Sequence, residues 1–519
     1  MSDASKAAAA GQGQQDYPMY FALWPLQIMG ILDETAAPTG AWPKQAPRKR
    51  TRVAIIDTPV GAKHPNLTDA IDKARAFDLF STRLGAFPYY PLESGRGRTK
   101  GEDAEDAADD EEESDLEALK AAKLANLQLN ANTQVAKDTR YAGGLLQELI
   151  DRLAEGKPAI LQGVRPVTHP AFSAHGTAVA GLVGGRPATV PIAGENRSGP
   201  VLTALPFAGV DPFCEIVPIS TSFDPDPEQL ILALLYAELI AADVVLLPRD
   251  FPDPMRTVPL LQESFDAAPD QPGGTLWEAV YPVELSQREK ELWDDLYKLT
   301  KEISLKRPII CAAGNNGDQN VIYPACLQEM DNGIISVGAV NSVGECAGYS
   351  NYGNMITVMA PSNDKTRFDR DEIRIDEQDP EFESGLSAYK AKRNGKFSYL
   401  DVISTGVPGR HGYNRSEFWR AYLKQGDKRY PEPVVRDFSS FYCRFGGTSA
   451  AAALVAGFVS LGVTRGGKDG PGVGGVAAKK WLLGKCTELR ENTRIPSWTG
   501  RPVFPRPEVP SPRTSSPPA

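Results

Sequence analysis

The strongest constraint on this chain is an alternation along its length, in which short apolar runs rich in β-formers give way to stretches with helical spacing. RVAIID (52–57), CEIVPIS (214–220), DVVLLP (243–248), PIICAAG (308–314), GIISVGAV (333–340) and MITVMAP (355–361) read as strands. Between them a helix is expected near Gln229 to Ala241. In SQREKELWDDLYKLTKEI, residues Leu292, Trp293, Leu296, Leu299 and Ile303 fall on one face, which predicts a stripe turned to the core. Strands and helices in this order imply a single α/β domain with a mostly parallel central sheet and helices on both faces. A chain of 519 residues, 41% hydrophobic, can bury the large core that such a domain needs.

Several stretches read as insertions, at about 79–165, 252–285 and 362–400. The first contains an acidic run and then GLLQELIDRLAEG, whose Leu145, Leu146, Leu149, Ile150 and Leu153 have helical spacing. The domain is therefore expected over 19–495, between a flexible amino-terminal tail (1–18) and a Pro/Ser-rich flexible tail (496–519). The net charge of −10 is local, because EDAEDAADDEEESDLE holds eleven acidic residues and the remainder is close to neutral. No broad basic face is implied, which argues against nucleic acid as a partner.

MSDASKAAAAGQGQQ lacks the pattern of a secretory signal, so a cytoplasmic protein is expected. LILALLYAELIAADVVLLP carries Glu238 and Asp243 and reads as a helix followed by a strand rather than a membrane span. The six cysteines have no metal-type spacing and are expected to be free thiols.

Chemistry enters with FGGTSAAAALVAG (445–457), where Thr448 and Ser449 stand between two glycines and a run of alanines. Small residues here would suit a close helix contact. They would equally leave room for substrate beside a nucleophile at the start of a buried helix. Of the four histidines, His175 lies in SAHGTAVAGLVGG at a helix start, whereas His64 belongs to an HPNL turn and His169 and His411 read as loop residues. Asp57 ends the strand RVAIID, at the strand end where open α/β folds place their sites, and Asn315 follows a second strand in AAGNNG. Together they offer a nucleophile, a base, a group to orient the base and an amide donor, which is the set acyl transfer needs.

D-T near the first strand, H-G-T-x-V-A-G, A-A-G-N and G-T-S-A, in that order, resemble the subtilisin-like serine proteases, the subtilases. WPLQIMGILDETAAPTGAW, HPNL, YSNYGNMITVMAPS and DVIST are similar to further family segments, so the resemblance runs discontinuously from about Trp24 to Leu461. It implies a three-layer subtilisin-like fold and a serine endopeptidase that works through an acyl-enzyme on protein or peptide substrates. Carried over by position, Ser449 would attack, His175 would shuttle the proton, and Asp57 would orient the imidazole. Asn315 and the Ser449 backbone N–H would receive the oxyanion. Ala312, Ala313 and Gly314 would line one wall of the first specificity pocket. The resemblance requires no cofactor but raises calcium as a structural ion, with Asp69, Asp72 and Asp78 as available carboxylates.

The chain departs from the family at three places. Pro59 follows Thr58 where glycine is usual, and Ala453 stands where proline is common. ADVVLLPRD (242–250) replaces an edge that pairs with substrate backbone. Arg249 there is expected either to meet an acidic substrate side chain or to face solvent. Only about twenty residues precede the lead-in, which resembles intracellular members lacking a long prosegment. Restraint is then expected from the 79–165 insert, and the acidic insert and Pro-rich tail are candidate docking segments for a regulatory partner. The alternative to an enzyme is an inactive interaction module of the same fold. A small-molecule esterase or amidase is a third reading.

Overall fold

The computed structural model describes residues 23–78, 175–192, 201–221, 227–253, 285–363, 367–368, 374–375, 402–406 and 441–504, apart from 63, 74, 250, 252, 318 and 491–492. The 79–165 insert, most of those at 252–285 and 362–400, His169, His411 and the two chain ends lie outside these residues. The principal elements are, in chain order, β1 (Arg52–Asp57), β2 (Phe77–Asp78), α1 (His175–Gly184), β3 (Ala188–Ile192), β4 (Val201–Leu205), β5 (Glu215–Ser220), α2 (Pro227–Leu239), β6 (Val244–Leu247), α3 (Gln287–Lys306), β7 (Ile309–Ala312), β8 (Ile334–Val340), β9 (Val358–Pro361), β10 (Ile403–Thr405), β11 (Tyr442–Arg444), α4 (Gly447–Arg465), α5 (Gly475–Gly484), β12 (Cys486–Arg490) and β13 (Thr493–Pro496).

Seven strands form one sheet in the order β2-β5-β1-β6-β7-β8-β9, and every neighbouring pair is parallel. Side chains alternate across it into two cores. Val53 and Ile55 of β1 join a core with α1, α4 and α5, while Ala54 and Ile56 join a second core with α2 and α3. This period of two, with a helix layer on each side, explains why the strand runs are apolar almost throughout. The stripe expected on α3 is realised, with Leu292, Trp293, Leu296, Leu299 and Ile303 all buried. A capping box starts that helix: Ser286 Oγ accepts from the Glu289 N–H, and the Glu289 carboxylate accepts from the Ser286 N–H.

Among the described residues one helix, α4, is long and apolar enough to cross a membrane, and it is mostly buried. It lies against α1, β6, β7, β8 and β9, so its apolarity is that of a central core helix. Ala453 is fully buried within it and the helix runs through that position unbroken. The carboxyl-terminal boundary expected at 495 falls too early. Trp498 packs against Phe458 and Trp481, its N–H donates to Met29 O at 2.8 Å, and Ser497 is fully buried. Those aromatic contacts extend the folded body past the first residues of the Pro/Ser-rich segment.

Two buried titratable groups give the fold opposing responses to acid. His64, in the HPNL turn, has Nε2 at 2.7 Å from Phe441 O, and its Nδ1 accepts from the Asn66 N–H, an arrangement of the neutral ring. Burial pushes its pKa down from 6.5 to about 4 against the opposing pull of the Phe441 carbonyl. Its contribution to stability is therefore complete above about pH 6.5 and is lost as pH falls through 4.

Asp211, just before β5, accepts from Ser460 Oγ, Thr464 Oγ1 and the Phe213 N–H. Burial outweighs these bonds and lifts its pKa from 3.8 to about 6. The folded chain then keeps a proton that the unfolded chain releases, so this contribution is complete below about pH 4 and lost as pH rises through 6. Asp211→Asn removes the compensating group. In urea unfolding, the variant is expected to lose about 2 kcal/mol more than wild type between pH 7 and 4.5.

Candidate active site

The sheet reverses its winding at β1, with β5 on one side and β6 on the other. The carboxyl ends of these strands open the crevice in which α/β folds place their chemistry. Asp57 is the last residue of β1 and is 1% exposed. His175 is the first residue of α1 and is 4% exposed, and its Nδ1 lies 2.8 Å from Asp57 Oδ2 and 3.0 Å from Oδ1. The Thr58 N–H also donates to Asp57 Oδ1. Burial drives the Asp57 carboxyl up, but His175, Arg249 and the hydrogen bonds together hold it below the usual carboxylate range.

Gly176 explains why the histidine can come so close. A Cβ there would sit 2.1 Å from Thr58 O, and the Gly176 N–H donates to Thr58 Oγ1 at 2.9 Å. The start of α1 thus presses directly on the residue after Asp57. Further along, Thr177 Oγ1 accepts from the Gly61 N–H, and in β10 Ser404 Oγ donates to Ala178 O and Thr405 Oγ1 to Thr177 O. On the far side, Phe445 meets the imidazole edge-on with centroids 5.1 Å apart.

Ser449 is the third residue of α4 and is 8% exposed. The turn before it needs both glycines. Gly447 has φ 77°, and a Cβ on Gly446 would lie 2.0 Å from Asn363 Oδ1. Tyr349 OH accepts from the Gly447 N–H and donates to Ser362 Oγ, which in turn donates to Gly447 O. Ser449 Oγ itself donates to Pro248 O, at the end of β6, at 2.6 Å.

Asn315 follows β7 and is exposed. Its Oδ1 accepts from the Thr448 N–H at 2.8 Å and Thr448 Oγ1 at 3.0 Å, which fixes the side chain and leaves its amide end as a donor. Ala312, Ala313 and Gly314 are buried in the descent from β7, with the Gly314 N–H on Thr448 Oγ1 and Gly314 O taken by the Asn351 N–H.

Of the four side chains named from the sequence, Asp57 and His175 are in direct contact, Asn315 is bonded to Thr448 beside Ser449, and Ser449 Oγ is bonded to Pro248 O. Arg249 does not behave as expected. It neither faces solvent nor lines an open edge, since its side chain is 2% exposed, with Nε 3.6 Å from Asp57 Oδ1 and Nη2 donating to Thr221 Oγ1 at 2.7 Å. The buried carboxylate attracts the guanidinium inward. Tyr349, Ser362 and Thr221 escaped sequence reasoning, although Tyr349 and Ser362 bracket the YSNYGNMITVMAPS segment that carried part of the resemblance. Asp72 is held by Arg75 Nη1 at 2.7 Å. Among the described residues no cluster of three or more His, Cys, Asp or Glu side chains is gathered for a metal.

No curated protein matches this sequence. Among solved structures, a lanthipeptide protease is 13% identical, with 94% of this chain and 95% of that one covered and a TM-score of 0.46. The nisin leader peptidase NisP from Lactococcus lactis is 14% identical over 92% and 94%, with a TM-score of 0.44. A cold-adapted subtilisin-like serine proteinase is 12% identical over 92% and 97%, with a TM-score of 0.41. The model of the subtilase family matches residues 48–468, a span that begins just before β1 and ends just after α4. With most of its length in that match and seven of its strands in one parallel sheet between helix layers, the chain belongs to the subtilase family of serine peptidases.

Proposed function

We propose that the chain is a serine endopeptidase in which Ser449, His175 and Asp57 act as a triad with Asn315 as an oxyanion donor. The observation that carries this reading is the buried 2.8 Å contact of His175 Nδ1 with Asp57 at the carboxyl end of β1. With Nδ1–H committed to the carboxylate, Nε2 is the nitrogen that would serve as the base. Ser449 Oγ exchanges its hydrogen bond to Pro248 O for one to Nε2 and attacks the scissile carbonyl carbon as Nε2 takes the proton. The imidazolium is stabilised by Asp57 and then protonates the leaving amine, giving an acyl-enzyme on Ser449. Water repeats the sequence and releases the acid.

The negative oxygen formed at each stage is met by the Asn315 amide and by the Ser449 N–H, in the first turn of α4 where backbone N–H groups are unused by the helix. The backbone of Ala312, Ala313 and Gly314 would line the first specificity pocket. An intracellular setting is supported by the cysteines, all six of which are free thiols.

Labelling with a fluorophosphonate serine probe tests the nucleophile and its base. Wild type is expected to label, and both Ser449→Ala and His175→Ala are expected to lose the label. A label retained in Ser449→Ala overturns the assignment. A second prediction concerns the oxyanion. Asn315→Leu is expected to lower kcat by about 10²–10³ with little change in KM, the loss known for the equivalent donor in subtilisin itself. Steady-state hydrolysis of a peptide ester and a peptide amide would measure it.

A further inference from the structure

Arg249 is a charged side chain sealed inside the site, and the reaction scheme above does not use it. Burying an isolated charge is costly, so its surroundings show what offsets it. Arg249 follows β6, Asp57 ends β1 and Thr221 follows β5, and β1 lies between the other two strands in the sheet. The guanidinium therefore reaches across the carboxyl end of β1, passing Asp57 Oδ1 at 3.6 Å on its way to Thr221 Oγ1 at 2.7 Å. Below it, the Phe251 ring centroid is 5.6 Å from Cζ. The Asp57 carboxylate thus lies against both His175 and a permanent cation.

We propose that Arg249 is a positioning residue of the triad, its guanidinium bracing the Asp57 carboxylate and offsetting part of its charge at His175. This rests on the triad assigned above. Without Arg249, Asp57 would stabilise the imidazolium more strongly and would lose a partner that limits its rotation. Among the described residues, the other titratable and charged groups on elements packed against α1 are Arg52 of β1, Glu215 of β5 and Arg465 of α4, while Tyr442, Cys443 and Arg444 lie on β11, the strand paired with β10. Arg52 and Glu215 lie at the opposite end of their strands and Arg465 at the far end of its helix. Tyr442 OH donates to Asn66 Oδ1 and Cys443 Sγ to Thr405 O. Arg444 immediately precedes Phe445, the ring on His175, and Asp253 is buried two residues beyond Phe251.

The test is the pH profile of kcat/KM in Arg249→Met and Arg249→Lys. In Arg249→Met the acid limb is expected to move up by about one pH unit, the size of a unit charge a few ångströms away in a partly screened interior. In Arg249→Lys the limb is expected to stay near its wild-type position, because the charge is kept, while kcat falls because a single ammonium cannot span Asp57 and Thr221. A limb that does not move in Arg249→Met, or moves equally in both variants, overturns the proposal. The same substitutions in Ser449→Ala protein, read by the NMR resonance of the His175 Nδ1 proton, give an answer without turnover. A resonance that shifts in Arg249→Met and returns in Arg249→Lys supports the charge effect whether or not peptide is cleaved. An unchanged resonance removes it. Failure of folded wild type to take the serine probe would instead count against the triad itself.

Discussion

Ser449→Ala is expected to lower kcat by about 10⁶, the scale known for the nucleophile of subtilisin, and adding His175→Ala is expected to cost almost nothing more. The non-additivity follows from the geometry. His175 is oriented by Asp57 through Nδ1, so its only proposed work is to move the proton of Ser449 Oγ. Once that oxygen is gone, the imidazole has no proton to take. If the two losses instead multiplied, His175 would be acting on something other than Ser449, and the proposed division of labour would fail. The residual rate in either variant would come from the oxyanion donors and from substrate binding. Measuring kcat for both single variants and the double variant on one peptide substrate decides the matter.

The second large effect is expected from a single methyl group. Gly176→Ala places a Cβ 2.1 Å from Thr58 O, a backbone atom that cannot swing aside as a flexible side chain would. Either α1 lifts away from the end of β1 or the turn at Thr58 is pushed back. Both movements lengthen the contact between His175 and Asp57 and break the hydrogen bond from the Gly176 N–H to Thr58 Oγ1. Overpacking of this kind costs about 1–3 kcal/mol or more. A misplacement of about 1 Å in a catalytic group costs on the order of 10² in rate. Gly176→Ala is thus expected to unfold at lower urea and to lose at least about 10² in kcat/KM. Gly40→Ala is the control for an ordinary glycine replacement, since a Cβ there meets nothing within 4 Å, although its φ of 92° brings backbone strain of its own. Wild-type activity in a folded Gly176→Ala variant would show that the close approach at Thr58 does not position His175.

The six strands read from the sequence were legible because each is an apolar run long enough to cross the sheet. β2 was not, because it is two residues long and pairs only at its end with Ile219 and Ser220. The hairpin of β3 and β4 and the late pair β12 and β13 carry mixed side chains with no clear period, and tertiary contacts such as those of Trp498 hold the last of these in place. At the candidate site, Asp57, His175, Asn315 and Ser449 were named from their local motifs. Arg249 was misplaced for a physical reason. Val244 to Leu247 are all buried, so alternation along β6 predicts nothing about which way the next residues turn. The bracing of Gly447 by Tyr349 and Ser362 could not be read either, because it joins residues 98 and 85 positions apart.

Those long separations also govern when the site comes into being. Asp57 and His175 are 118 residues apart, Asn315 and Thr448 are 133 apart, and Pro248 and Ser449 are 201 apart. Synthesis proceeds from the amino terminus, so the aspartate and the histidine emerge long before the serine. Contacts so distant in sequence close only after the intervening chain has been ordered. On the proposed mechanism a nascent or half-folded chain carries no cutting edge. It becomes able to cleave, its siblings included, only when the helix bearing Ser449 slots into the centre of an otherwise finished molecule.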